Sequence, residues 1–281
     1  MKIVQLKNCT PTQMTGFIII ANDGSVIAVD GGNRTDTDGF LDTLEELTGS
    51  RLTVIDCWFM THPHDDHFGV FQELTERAKQ GIAVPYCKMF CYTHQPDEFG
   101  KDELIFEQQL IAYNNLLKEN HYPKRELKEK EILDFGDLSV EVLRIWDPEI
   151  KANAFNNWSM VLRFTEKRGL KKDFVMIFLG DLGVEGGYQL IAKCPEGIKA
   201  DAVQMAHHGQ NGVSREVYEA ISPRIAFFAT PDWLWYNTID PSKPGEGPFK
   251  TLEVRSWMED LKTLPLRACE KNVILDTAWI D

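Results

Sequence analysis

Three of the seven histidines fall within six residues, in His62-Pro63-His64-Asp65-Asp66-His67, directly after the apolar run LTVIDCWFMT and directly before the helix-patterned FGVFQELTERAKQ. This H-x-H-x-D-H cluster constrains the fold more than any other feature, because it sits where a buried strand stops and a helix starts. Residues two apart in extended chain point the same way, so His62 and His64 can grip one ion together. Asp66 and His67, at the helix entrance, address a slightly different spot, as a second ion nearby would require. Neutral imidazole and carboxylate are standard ligands for zinc and similar borderline metals. One histidine here would read as a loop residue, and Asp66 alone as a helix N-cap. Four ligand-type side chains at this spacing read instead as a metal site, with Asp65 between them on the surface.

The segments around the cluster alternate strands and helices. IVQL, GFIIIA and VIAVD read as strands, the last two joined by a hairpin turn at Asn22-Asp23-Gly24. Phe40, Leu41, Leu44 and Leu47 predict an amphipathic helix over residues 37–48, and Leu104, Ile105, Leu110, Ile111, Leu116 and Leu117 predict another over 101–120. LTVIDCWFMT and VPYCKMFCYT read as strands buried on both faces. LSVEVLRIW, SMVLRF, FVMIFLG, ADAVQMA and IAFFAT follow as further strands, with helices near 184–193 and 250–262 and two closing strands. Strand-rich blocks and helices thus occur twice, before and after roughly residue 135, with no linker between them. The reading is one α/β domain, residues 1–281, made of two similar halves.

Composition narrows the partners. The formal net charge of −13 and the lack of a Lys/Arg stripe argue against nucleic acid as the main substrate, since a polyanion would approach against long-range repulsion. The start, MKIVQLKNCTPTQMTGF, lacks the apolar stretch of a signal peptide, and no run of 18 or more apolar residues follows, so the expectation is a cytoplasmic protein without membrane contact. Six cysteines spread through apolar runs read as reduced core residues.

T-H-P-H-D-D-H-F-G resembles the signature of the metallo-β-lactamase superfamily, and further matches follow in order along the chain. VIAVDGG resembles the early strand that ends in Asp-Gly-Gly, which implies that Asp30 supports the metal site from beneath. IFLGD resembles the strand whose final carboxylate, here Asp181, is shared by two ions. ADAVQMAHHG resembles the strand carrying the last histidine. Asn156-Asn157-Trp158-Ser159, His207-His208-Gly209 and SPRIAFFAT are similar to the metallo-hydrolase domain of ComEC DNA-uptake proteins and to teichoic acid phosphorylcholine esterases.

The resemblance implies a four-layer αβ/βα sandwich, two mixed β-sheets with helices outside. It implies metal ligands His62, His64, Asp66, His67, Asp181 and His208, with catalytic roles for Asp66 and His207 and a substrate-binding role for Asn157. The reverse assignment of His207 and His208 is the alternative. The implied cofactor is Zn2+, one or two ions, with Mn2+ or Fe as alternatives. One departure stands out: Asn156 and Asn157 occupy the place where the superfamily usually has another histidine, so the ion of His62 and His64 is completed by water or by another residue, His94 being one option. The implied activity is hydrolysis by metal-activated hydroxide, most simply of a small phosphodiester. Carboxyl-ester, lactone or β-lactam hydrolysis and a degenerate, non-catalytic metal-binding domain are the alternatives. The aromatic loop PDWLWYN, with Trp233, Trp235 and Tyr236, either walls the pocket, where it could hold a choline-like cation, or packs over the core edge.

Overall fold

The apolar runs read from the sequence are laid side by side in two sheets, each built by one half of the chain. The computed structural model describes residues 1–94, 104–119 and 122–280. The first half contains β1 (Lys2–Gln5), β2 (Gly16–Ile20), β3 (Val26–Asp30), α1 (Thr37–Thr48), β4 (Cys57–Phe59), α2 (Asp65–Lys79), β5 (Phe90–Tyr92), α3 (Leu104–Glu119) and β6 (Lys124–Glu126). The second contains β7 (Ile132–Phe135), β8 (Leu138–Arg144), α4 (Ala154–Asn157), β9 (Val161–Glu166), β10 (Phe174–Phe178), α5 (Val184–Lys193) and β11 (Ala202–Gln204). It continues with α6 (Arg215–Ile221), β12 (Ile225–Phe228), α7 (Asp232–Trp235), α8 (Thr251–Asp260), β13 (Leu264–Arg267) and β14 (Val273–Asp276).

The strand orders are β14-β1-β2-β3-β4-β5-β6 and β13-β12-β11-β10-β9-β8-β7. In each sheet an antiparallel meander turns into a parallel run, at β3 in the first and at β10 in the second. The halves therefore share one plan, and the chain passes between sheets after Glu126 rather than near residue 135. β14 crosses back to pair with β1.

Period-2 alternation decides what each strand buries. Cys57 and Phe59 face the opposite sheet, while Trp58 between them points to the helices, which is why this segment reads as continuously apolar. Between the sheets, Phe17 meets Phe178 at 5.1 Å and Phe59 meets Phe164 at 5.9 Å, edge to face. Leu44, Phe71, Leu74 and Leu116 seal the outer face of the first sheet, and Leu190, Val217, Ile221 and Met258 that of the second. The result is the four-layer sandwich.

The strands are shorter than their apolar runs. Of LTVIDCWFMT only three residues are ladder, and Ile55 meets Cys87 in an isolated bridge. Residues 101–103 and 120 of the expected long helix lie outside the described residues. β6, Lys-Arg-Glu and wholly exposed, and β7 were not legible as strands; charge on an edge strand protects it from pairing with other chains but hides the alternation. No helix among the described residues is long and apolar enough to cross a membrane.

Glycines let α2 dock on the end of β3. Val70 N donates to Gly32 O at 3.1 Å and Thr15 N to Asp66 O at 3.0 Å. A Cβ on Gly69 would lie 2.5 Å from the backbone nitrogen of Arg34, and one on Gly31 2.9 Å from Val70 Cβ. Gly69→Ala is expected to cost about 1–3 kcal/mol through overpacking, read as a lower urea midpoint at unchanged slope. An unchanged midpoint would mean that α2 can move aside.

At the far end of β9 from the metal-binding loops, buried Glu166 accepts from Met1 N (2.6 Å), Asn22 Nδ2 (2.9 Å), Arg168 Nε (2.9 Å) and Thr277 Oγ1 (3.1 Å). Burial alone would raise its pKa, but these donors, led by the amino group and Arg168, hold it down to about 2 from an ordinary 4.5. A carboxyl depressed on folding contributes stability that is complete above 4.5 and is lost as pH falls toward about 2. Glu166→Gln is expected to flatten the stability curve in that window and to lower stability at pH 7, measured by denaturation at a series of pH values.

Candidate metal centre

β3 ends on Asp30, held in the left-handed region at φ 53°. Its Oδ1 accepts from Thr61 N at 2.8 Å, its Oδ2 from Thr61 Oγ1 at 2.8 Å, and its backbone carbonyl from Trp58 Nε1 at 2.9 Å. The same Oδ2 lies 2.7 Å from His67 Nδ1. One buried carboxylate thus ties β3 to the end of β4 and to the start of α2, and it turns His67 Nε2 inward.

The other rings are anchored in the same way. His208 Nδ1 lies 3.2 Å from Ala229 O and 3.3 Å from Thr15 Oγ1, leaving Nε2 to face Asp66 Oδ2 at 3.1 Å and Asp181 Oδ2 at 3.4 Å. His62 Nδ1 rests 3.1 Å from Thr61 Oγ1, and its Nε2 faces His64 Nδ1 at 3.0 Å and Asp181 Oδ2 at 3.8 Å. The His64 ring stacks on Phe155, 5.6 Å between centroids and 4° from parallel.

Two ligand groups result: His62, His67 and Asp181, and Asp66, His67 and His208, each with its donor atoms within 4.8 Å of one another. Bonds of about 2.0 Å to a tetrahedral ion would separate neighbouring donors by roughly 3.3 Å, close to the spacings here. His67 Nε2, His208 Nε2 and Asp181 Oδ1 are buried with no hydrogen bond of normal geometry, so inward-facing lone pairs collect at one place. This donor set fits one or two divalent ions.

Electrostatics agrees with the geometry. Burial opposes charge on every member, yet His208 and His67 hold Asp181 well below the usual carboxylate range. Against the same burial, Asp181, Asp30 and Asp66 push His67 well up, and Asp181 and Asp66 push His208 up to about 9. Burial lowers His62, and lowers His64 to about 4. The buried carboxylates thus favour positive charge at His67 and His208, the charge that a divalent cation would supply in their place.

In the second half the ligands sit on strained turns. Gln204 Oε1 accepts from Leu179 N at 2.9 Å and Gly180 N at 2.8 Å, and Ser159 Oγ accepts from Asp181 N at 2.9 Å. Gly180 is left-handed at φ 57°, and a Cβ there would meet Ser159 Oγ at 2.8 Å. His207 and His208 are both left-handed, at φ 50° and 56°, unusual for two consecutive non-glycine residues. The twist sends His208 into the cluster and leaves His207 partly exposed, its Nε2 4.0 Å from Asp181 Oδ2.

Comparison with known proteins accords with this arrangement. Residues 14–147 match the metallo-beta-lactamase superfamily. The whole fold superposes on the metallo-beta-lactamase fold protein YhfI from Bacillus subtilis, TM-score 0.56 and 11% identity over 98% of this chain and 100% of that one. The chain has the metallo-β-lactamase fold, and its residues 14–147 are similar in sequence to that superfamily. A curated relative, ComE operon protein 3 of Bacillus subtilis (strain 168), is 26% identical over 185 residues, 65% of this chain. The chain spans about a fifth of that protein's length, 21%. CmlA β-hydroxylase, in an E377D mutant, shares the fold at TM-score 0.58 and 14% identity, over 98% of this chain and 53% of that one. A hydroxylase on this scaffold shows that the fold alone does not select the reaction.

Above the His/Asp cluster of this metallo-β-lactamase fold opens a cavity of about 740 Å³, lined by His64, Asp66, Asp181 and His207 among others. Asn157 does not reach it, contrary to the role the sequence suggests. It is fully buried, its Oδ1 accepting from Gly183 N (3.1 Å) and Gly186 N (2.9 Å), its Nδ2 donating to Ala152 O (2.8 Å) and Glu185 (3.0 Å). With every polar atom engaged at the start of α5, it positions that helix. Asn156, one residue earlier, lines the cavity instead. His94 is exposed in a separate depression beside Tyr92, Lys118 and Lys124, away from His62 and His64. Of the aromatic loop, Trp233 lines the cavity, whereas Trp235 lies under Arg255 and Arg267 at 4.0 and 5.0 Å.

Arg144 carries no motif and escapes a sequence reading. Fully buried, it donates through Nη1 to Asn157 O at 2.7 Å and Ser159 O at 3.3 Å, and burial lowers it to about 10. It braces the turn that holds Asp181. Its signal, an arginine at the buried end of the alternating strand Leu138–Arg144, is visible only once that end is known to be buried.

Asp30→Asn is expected to weaken metal binding 10- to 100-fold, measured by competition with a chromogenic chelator, because it loosens the grip on His67 without removing a ligand. Unaltered affinity would assign Asp30 a purely structural role.

Proposed function

We propose that this domain is a dinuclear, zinc-dependent hydrolase of small phosphodiesters. The observation that carries the reading is the pair of ligand groups sharing His67, with Asp181 in one and Asp66 in the other, at the floor of an open cavity. By the resemblance, His62, His64 and Asp181 would hold one ion and Asp66, His67 and His208 the other, although His64 belongs to neither of the two donor groups the structure brings together. Bound there, divalent ions would supply Lewis acidity and lower the pKa of water toward about 7. Asp66, buried and kept ionised by His67 and His208 against the cost of burial, orients the attacking water through its carboxylate. His207 faces the cavity with its pKa lowered by burial, so at neutral pH it is a neutral imidazole that donates a hydrogen bond to the scissile group or its leaving oxygen.

Several observations support a phosphodiester. Two adjacent ions, held by these residues, would supply the charge neutralisation that displacement at phosphorus needs. The local likeness is to ComEC-type and phosphorylcholine-esterase domains, and 26% identity to ComE operon protein 3 accords with it. The net charge of −13 and a cavity of about 740 Å³ favour a small molecule over a long polyanion. The free cysteines accord with a cytoplasmic location.

Protein purified without chelator is expected to hold about two ions per chain by inductively coupled plasma mass spectrometry, with His64→Ala and Asp181→Ala each losing metal. It is expected to cleave bis-p-nitrophenyl phosphate in preference to a lactone panel, and Asp66→Asn to lower kcat at least about 100-fold. Fewer than about half an ion per chain would overturn the hydrolase reading in favour of a degenerate domain. Lactone turnover without phosphodiester turnover would move the substrate to carboxyl esters.

A further inference from the structure

A second groove, of about 450 Å³, opens in the helical layer over the second sheet, between α5, α6, α8 and the loop 210–214 that follows His207 and His208. Its volume is within the range of small-molecule sites. The loop backbone is fixed. Gln210 N donates to His207 O at 3.0 Å, Asn211 Oδ1 accepts from Lys250 N at 3.0 Å, and a Cβ on Gly212 would lie 2.7 Å from Ala206 O. The Gln210 side chain is not held in this way. It is 4% exposed and lines the groove, yet its carboxamide makes no hydrogen bond to any of the described residues. Buried amides are nearly always paired, so this one presents a donor and an acceptor to whatever enters.

The charged groups of the groove divide into engaged and free. Arg215 donates to Glu219 at 2.7 Å and to Asp260 at 2.9 Å. Ser214 and its own backbone N–H, at the start of α6, hold the Glu216 carboxyl below its usual range. Lys250 and Glu253, at the start of α8, are exposed, opposite in charge and in no ion pair among the described residues. Trp257 of α8 and Tyr188 of α5 add two aromatic faces, the tyrosine 52% exposed.

We propose that this groove binds a free aromatic α-amino acid, at a site separate from the metal centre and independent of the reaction proposed above. One unengaged cation and one unengaged carboxylate match a zwitterion, whereas a simple anion or a simple cation leaves one of the two unanswered. The ligand carboxylate meets Lys250 and the Gln210 Nε2 donor, and its ammonium meets Glu253 and the Gln210 Oε1 acceptor. Trp257 and Tyr188 take its ring. The net charge of −13 disfavours a multiply charged anion, such as a nucleotide, at the same place.

The test titrates L-tryptophan calorimetrically into the metal-loaded chain, beside tryptamine, which lacks the carboxylate, and N-acetyl-L-tryptophan, which lacks the ammonium charge. L-Tryptophan is expected to bind at a single site, at least about tenfold tighter than either analogue. Tyr188→Ala and Lys250→Ala, which alter exposed side chains and leave the fold intact, and Gln210→Ala are each expected to weaken it about three- to tenfold. Asp181→Ala, in the metal centre, is expected to leave it unchanged. Absence of binding, equal affinity for either analogue, or an affinity unmoved by the three groove variants would overturn the site. Binding abolished by Asp181→Ala would move the ligand to the metal cluster and overturn it as well.

Discussion

Everything in the metal centre depends on one buried carboxylate that is not in either ligand group. Asp30 takes two hydrogen bonds from Thr61 and fixes the His67 ring, so the end of β3, the end of β4 and the first turn of α2 are held as one unit. Without it, two of the three elements that meet there would present backbone and ring N–H groups with nothing to accept them. The glycines beside it are part of the same constraint. Gly31 and Gly69 permit an approach that any Cβ would block, and that approach brings Asp66 and His67 beneath His62. The motif Asp-Gly-Gly and the motif His-x-His-x-Asp-His-Phe-Gly are therefore one structural device written in two places.

How much of this was legible beforehand follows from the length of each periodic signal. α1 and α5 occupy the spans that their apolar spacing predicts, Thr37–Thr48 and Val184–Lys193, because each keeps a helical stripe for ten or more residues. The β2–β3 hairpin follows from Asn22-Asp23-Gly24 between β-branched runs. β6 was not legible because its three residues are all charged and exposed, nor α4, whose four residues span barely one turn. The ligand cluster itself was legible because its members are close in sequence or sit at strand ends. What sequence could not reveal is direction. Asn156 and Asn157 are neighbours of identical chemistry, yet one lines the cavity and the other is enclosed by Gly183 and Gly186, a difference set by the winding of a single helical turn.

The second half solves the same placement problem with backbone strain. Asp181 follows a left-handed glycine, and His207 and His208 are themselves left-handed, so neither turn would persist without the contacts around it. Gln204 supplies many of them. Its carboxamide caps Leu179 and Gly180 through Oε1 and donates through Nε2 to Gly180 O at 3.1 Å and Met205 O at 2.7 Å. One side chain thereby couples the turn before Asp181 to the segment entering His207. Arg144 does the equivalent for the turn carrying Ser159, whose hydroxyl in turn receives Asp181 N.

Each half of the molecule thus builds an incomplete site. His62, His64, Asp66 and His67 stand on loops of the first sheet, Asp181 and His208 on loops of the second, and the ligand groups each draw on both. A cation held by them would bridge the sandwich at its open end, as the apolar contacts of Phe17 with Phe178 and of Phe59 with Phe164 join it through the middle. Because the ligand geometry exists only when the sheets are packed, the free energy of binding an ion adds to the stability of that packing. The carboxylates that repel one another across the same gap make the opposite contribution when it is not there. The cluster is consequently both a reactive centre and the place where the two halves are most sensitive to each other, which accounts for the density of hydrogen bonds from Thr15, Thr61, Ser159 and Gln204 that surround it.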